Sequence, residues 1–174
     1  MRKPDRADEI AAAWERERPG TPTSSIGVVT RLWALAKLFT EHRQRELRTA
    51  GIDAATLDLL GTLRRSGPPY VLTTRELSER CRVTPGAISQ RVARAETAGL
   101  VRRETDGRTV DVALTAKGHE VIEQTVDIVL GAEEELLDAL APSQRATLAR
   151  LLKILLTDLE RRSTSERGDG TRSA

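Results

Sequence analysis

Between Thr84 and Arg94 the chain reads Thr-Pro-Gly-Ala-Ile-Ser-Gln-Arg-Val-Ala-Arg. These residue types suit hydrogen-bond readout of a polar surface rather than bond-making. Gln90 carries the paired donor and acceptor that match an adenine edge, and Arg94 the fork that matches a guanine edge. Thr84 and Ser89 add hydroxyls, while Gly86 and Ala87 are small enough to let a backbone approach a duplex closely. Downstream, Asp106-Gly107 forms the strongest short hairpin signal, and Arg108 stands directly behind it. An arginine on such a tip can enter a minor groove, where negative potential favours it, with Asp106 capping the turn or bracing Arg108.

A helical wheel sorts the first group. Successive residues lie about 100° apart, so Ile88, Val92 and Ala95 cluster on a buried face. Gly86, Gln90, Ala93 and Arg94 point away from it, with Ser89 to one side. Arg91 differs: it lies roughly 65° from the apolar centre and flanks the core. A cation there calls for an acidic partner within the protein. Asp58, set among Leu57, Leu59 and Leu60, is a candidate for that partner.

The elements that position these residues are also legible. Thr73-Thr-Arg-Glu76 is a capping box that opens a helix to about Cys81. Thr84-Pro85 is an N-cap with proline at the first helical position, and that helix stops at Gly99. Val101 to Thr115 alternates apolar and polar residues around the hairpin turn. Helix, short turn, helix and hairpin make the outline of a winged helix-turn-helix, which sets one helix in a DNA major groove. The expected fold is mainly α with a small β-wing, flanked by long N- and C-terminal helices for dimerisation.

Residues 1–22 read as an N-terminal extension, with a short helix from Asp8 to Arg18 that carries Trp14. Thr23-Ser24-Ser25 offers an N-cap to a long helix with Ile26, Val29, Leu32, Trp33, Ala36 and Phe39 on one stripe, ended by Gly51. A further helix starts after Asp53 and ends before Gly67-Pro-Pro. Residues 53–115 form the winged domain. Residues 23–50 and 116–162 form the helical dimerisation region, with helices from about Ala116 to Leu140 and from Pro142 to about Arg162. The last of these carries a leucine stripe that a monomer of this size would struggle to bury. The tail 163–174 is polar and glycine-rich and is expected to be disordered.

Charge agrees with this division. The stretch from Arg64 to Arg108 holds ten arginines against five acids, yet the whole chain carries only +2. Phosphate contact is therefore expected from one domain rather than from the molecule at large. No apolar run approaches the roughly 20 residues that span a bilayer, and Met1 to Glu9 lacks a secretory signal, so a cytoplasmic protein is expected. One cysteine excludes an internal disulfide and a cysteine-based metal cage. His42 and His119 are isolated, and no phosphate loop, metal-ligand spacing or nucleophile elbow is present. The sequence offers no catalytic residues, no metal site and no cofactor. A second reading makes Cys81 a redox thiol activated by Arg80 and Arg82. A third is a winged helix that binds protein, which would require an apolar outward face on the helix after Thr84.

Asp106-Gly-Arg108, Val110, Val112, Leu114-Thr115 and Lys117-Gly118 resemble the wing signature of the MarR family of bacterial transcription regulators. The resemblance runs from roughly Ser25 to Arg162. It implies a homodimer with intertwined terminal helices and two winged domains reading half-sites of a palindrome in double-stranded DNA, usually as a repressor. A narrower resemblance is to the urate-responsive branch. It rests on the added helix with Trp14, Asp58 in Thr56-Leu-Asp-Leu-Leu60, the stretch Leu63-Arg-Arg-Ser-Gly-Pro-Pro-Tyr70, and Gly86-Ala-Ile-Ser-Gln-Arg91. That branch implies a small anionic or aromatic effector, urate-like, bound by Trp14, Asp58, Arg91 and Arg103.

Overall fold

The computed structural model describes residues 3–106 and 109–169; the side chains of Asp106 and of residues 164–169 fall outside that description. The chain divides into two compact units, one through Glu133 and one from Glu134 onward.

In the first unit, α1 (Arg6–Glu17) opens on Asp5. Asp5 accepts from the Ala7 and Asp8 amides while Asp8 returns a bond to the Asp5 amide, a complete capping box. Asp5 also takes Arg31 Nε at 2.8 Å, and Asp8 takes Arg31 Nη2 at 2.7 Å, which ties α1 to α2 (Ile26–Thr49). This pairing holds the Asp5 carboxyl below its ordinary value. The expected Ser25 cap is absent: Ser25 is already in the right-handed helical region and its side chain makes no capping bond. The turn that starts at Thr23, whose carbonyl accepts from the Ile26 amide, gives Ser25 a helical backbone at the N-cap position. Gly51, at φ 73°, closes α2 as read from the sequence.

Helix α3 (Ala54–Arg65) is capped by Asp53, whose side chain accepts from the Thr56 amide at 2.6 Å. It forms the centre of the winged domain: Leu59, Leu60 and Leu63 are fully buried, and Leu57, Gly61 and Thr62 nearly so. Burying each such leucine stabilises the fold by about 2 kcal/mol relative to exposure. Leu77 of α4 (Thr74–Cys81) and Ile88 and Val92 of α5 (Pro85–Thr97) complete this core. Both predicted caps form, at Thr73 with Glu76 and at Thr84.

The wing is β2 (Val101–Asp106) and β3 (Thr109–Leu114), paired antiparallel from Val101↔Leu114 to Asp106↔Thr109. A third strand, β1 (Val71–Thr73), lies on the other side of β3 with Val71↔Ala113 and Thr73↔Asp111. The sequence reading has no strand there, because three residues show no period. Pairing with β3 alone makes them a strand. Tyr70, which leads into β1 at φ 61°, sits edge-on to His119, with ring centroids 4.7 Å apart, and under the Arg64 guanidinium at 4.9 Å.

Helix α6 (Ala116–Glu135) ends five residues before the expected Leu140. Residues 136–140 form turns in the second unit instead. Arg145 holds them: its Nε donates to the Leu137 and Leu140 carbonyls at 3.1 Å, and its guanidinium pairs with Glu134 and Asp138. Helix α7 (Pro142–Asp169) runs past the expected end at Arg162, so the segment read as disordered from Ser163 is helical as far as Asp169. No proline interrupts that stretch, and extending an existing helix lacks the cost of starting one. Among the described residues, no helix is long and apolar enough to cross a membrane.

Candidate nucleic-acid interface and adjoining cavity

Helix α5 presents the face that the wheel predicted. Ile88, Val92 and Ala95 are buried, whereas Thr84, Gly86, Ser89, Gln90 and Arg94 are exposed; Ala87 is half-buried, and so is Ala93, which the wheel turns outward. A Cβ at Gly86 would meet nothing within 4 Å, and its φ is not positive, so packing does not demand glycine there. The Ser89 hydroxyl donates to the Pro85 carbonyl at 3.0 Å, and Thr84 Oγ1 accepts from the Ala87 amide at 3.3 Å. Arg94 has an acidic neighbour that the wheel did not show: its Nη1 lies 3.7 Å from Asp53. Asp53 thus caps α3 and touches α5. Its bond from the Thr56 amide, more than Arg94, holds its carboxyl below the ordinary range. Arg108 and Gly107 lie outside the described residues.

The pairing expected for Arg91 is present. Its Nη1 donates to Asp58 Oδ2 at 2.9 Å, with both side chains partly buried. This bond joins the middle of α3 to the middle of α5. Asp58 also lines a half-open cavity of about 700 Å³ bordered by α2, α3 and α6. Its floor is apolar, with Leu57, Ile122, Val126 and Val129, and Arg43, Arg64 and Arg65 stand round it. Arg43 pairs with Glu133 at 3.4 Å and Arg64 with Glu123 at 3.0 Å. Arg65 Nη2 reaches the Thr62 hydroxyl at 3.3 Å, and its Nη1 folds over Gly61, where a Cβ would stand only 2.8 Å from it. Sequence reasoning missed Arg43, Gly61, Arg64 and Arg65 as cavity residues. The adjacent Arg64-Arg65 pair at the end of an apolar helix was the available signal.

Two residues carried over from the branch resemblance stand elsewhere in the chain. Trp14 lines a shallow apolar depression with Ile10, Ala13 and Glu17 on α1. Arg103 on β2 is clasped by Glu96 of α5: its Nε donates to Oε2 at 2.7 Å, its Nη2 pairs with the same carboxylate, and its amide reaches Oε1 at 3.3 Å. Hydrogen bonding from Arg103 holds the Glu96 carboxyl low. The structure therefore brings Asp58 and Arg91 together and assigns Arg103 a partner the sequence did not indicate.

Cys81 lacks the activation that the redox reading requires. Burial is the largest influence on its thiol and pushes it up, not down. Its sulfur meets the Thr62 hydroxyl at 3.5 Å, Asp58 adds a like-charge penalty to the thiolate, and Arg80 points to Glu76 at 3.9 Å. A thiol that stays protonated at neutral pH is a poor sensor.

These features agree with the relatives. A model of the MarR family matches residues 50–109, the winged domain. The regulator PecS of Dickeya dadantii is 28% identical over 155 residues, covering 83% of this chain and 89% of its own. Sco3205 of Streptomyces coelicolor, a MarR family transcriptional regulator solved in complex with DNA, is 31% identical with a TM-score of 0.66, over 78% of this chain and 92% of that one. Apo MarR of E. coli is 28% identical with a TM-score of 0.61, over 74% and 96%. The chain belongs to the MarR family and is a DNA-binding transcription regulator of the winged-helix type.

Proposed function

We propose that this regulator acts in the cytoplasm as a homodimeric repressor of a palindromic operator, released by a small aromatic anion of the urate type. The ion pair Asp58–Arg91 carries this reading, because it links the cavity wall directly to the recognition helix α5. An apolar floor suits a flat ring and the surrounding arginines suit its charge. An anion bound there repels Asp58. Arg91 then loses its partner, and α5 is free to shift so that two half-site helices no longer match the groove spacing. Arg103 joins the anion only by leaving Glu96, and Trp14 closes over the ring from the added helix. The effector works because it binds the released form more tightly than the DNA-bound form. The leucines and isoleucine exposed along α7 supply the dimer contact. Thr84, Gly86, Ala87, Ser89, Gln90, Arg94 and Arg108 meet the DNA.

The test is fluorescence anisotropy of the full chain on the duplex upstream of its own gene, with and without urate, for wild type and Asp58→Asn. The expected outcome is salt-sensitive binding released by urate in the wild type and a blunted release in D58N, which stays folded. An unchanged urate response in D58N sinks the switch. Binding indifferent to urate in the wild type sinks the effector and leaves the regulator.

A further inference from the structure

Helix α5 ends at Thr97, with Ala98 as its C-cap and Gly99 behind it at φ 72°. The amide of Gly99 reaches the Glu96 carbonyl at 2.9 Å and that of Leu100 reaches the Ala95 carbonyl at 2.9 Å. These two bonds make a Schellman ending, which satisfies two of the carbonyls a helix leaves open. The carbonyls of the C-cap Ala98 and of Gly99 and Leu100 behind it find partners beyond α5.

All three partners come from the start of α6. Lys117 Nζ donates to the Ala98 carbonyl at 2.8 Å. Thr115 Oγ1 donates to the Gly99 carbonyl at 2.7 Å. The Thr115 amide donates to the Leu100 carbonyl at 3.1 Å. The same Thr115 hydroxyl oxygen accepts from the Gly118 amide at 3.0 Å, so it caps α6 while it holds α5. Gly118 allows this approach: a Cβ there would fall inside the Leu100 carbonyl oxygen. The C-cap carbonyl of α5 therefore meets the Lys117 ammonium, and the two residues that follow the helix are held by the Thr115 hydroxyl and amide.

We infer that Thr115 and Lys117 are positioning residues for DNA recognition, which fix the C-terminal end of α5 to the first turn of α6 and so set the angle at which α5 meets the groove. An exposed lysine in a DNA-binding domain would ordinarily be given a phosphate. Here its ammonium is committed to a carbonyl, and that difference can be measured. Every phosphate-bound cation contributes close to one to the slope of log affinity against log salt, whereas a lysine held on a carbonyl contributes nothing.

The test uses the full chain and an operator duplex selected by the wild type from a random library. Thr115→Val, Thr115→Ser, Lys117→Met and Lys117→Arg are compared by anisotropy across a salt series, with thermal unfolding of each. T115V and K117M are expected to weaken operator binding by about three- to tenfold, the scale of one lost helix-terminal contact, with the salt slope of the wild type. T115S and K117R are expected to restore affinity. Lys117 is exposed, so K117M tests the idea even where T115V lowers the melting temperature. Wild-type affinity in K117M, or a salt slope smaller by about one in that variant, would overturn the inference.

Discussion

In the winged domain, Leu59, Leu60, Leu63 and Leu77 are fully buried within one chain. In α7, Leu148, Leu151, Leu152, Leu155, Leu156 and Leu159 are 38–52% exposed apart from Leu156 at 59%. The two regions contain the same residue type, but only one of them closes a core. α3 is surrounded by α4, α5 and the wing, so its leucines lose their water to neighbours from the same chain. α7 carries a helical stripe with no such cover, which gives a large incentive to associate, as apolar patches of this extent mark interaction surfaces. The winged domain thus holds its own core, whereas the stripe on α7 is the surface that the proposed dimer would cover.

The largest expected effect breaks the second half of that contrast. Replacing Leu152 and Leu155 by glutamate puts two charges into the stripe. Sedimentation should show monomers, and operator affinity should fall by about 100-fold or more as the two half-sites lose their linkage. A double variant that remains a dimer with wild-type affinity would show that α7 is not the contact.

Leu60→Ala probes the other half. A fully buried leucine cut to alanine should cost about 2–5 kcal/mol in urea unfolding. A loss under about 1 kcal/mol would place the core elsewhere. Smaller again is the ion pair between the two helices of this domain. A double-mutant cycle of Asp58→Asn and Arg91→Gln should return a coupling of about 1 kcal/mol, because both groups are partly solvated. Additive effects would mean that the pair does not link α3 to α5 in solution.

The Asp53 cap should give about 1 kcal/mol at neutral pH, read as the stability lost in Asp53→Ala. Its carboxyl titrates lower in the folded chain than in the unfolded one. Its contribution is therefore complete above the ordinary aspartate value and is lost as pH falls through the lowered folded value. A difference between wild type and D53A that grows on acidification would contradict that assignment. The smallest effect is expected at Cys81. Because burial pushes its thiol up, alkylation should be slow at neutral pH, and Cys81→Ser should leave DNA release by peroxide-treated protein unchanged. Rapid peroxide-dependent release that disappears in C81S would restore the thiol reading.

Much of the recognition machinery was written locally. The Thr73–Glu76 and Thr84 caps, Pro85 and Gly99 bound α4 and α5 from the sequence, since capping and positive φ are decided within a few residues. The buried and outward faces of α5 followed from period alone, and even the acid for Arg91 could be nominated because an arginine beside a core needs one. The Ser25 cap failed for the opposite reason: a preceding turn decided its backbone, and composition says nothing about that.

What the sequence determined was therefore one-dimensional: where helices begin and stop, which face is apolar, and which charges need company. Tertiary structure decided the rest, because it depends on groups far apart in the chain. Strand β1 exists only because β3 lies beside it. Arg103 belongs to Glu96 because β2 passes the end of α5, a pairing hidden from any wheel. Arg43, Arg64 and Arg65 meet around one cavity only when α2, α3 and α6 pack, and Thr115 and Lys117 reach the carbonyls of α5 only because Gly118 lets the two backbones touch. Local preference selects elements, but long-range contact decides which of their polar groups face one another.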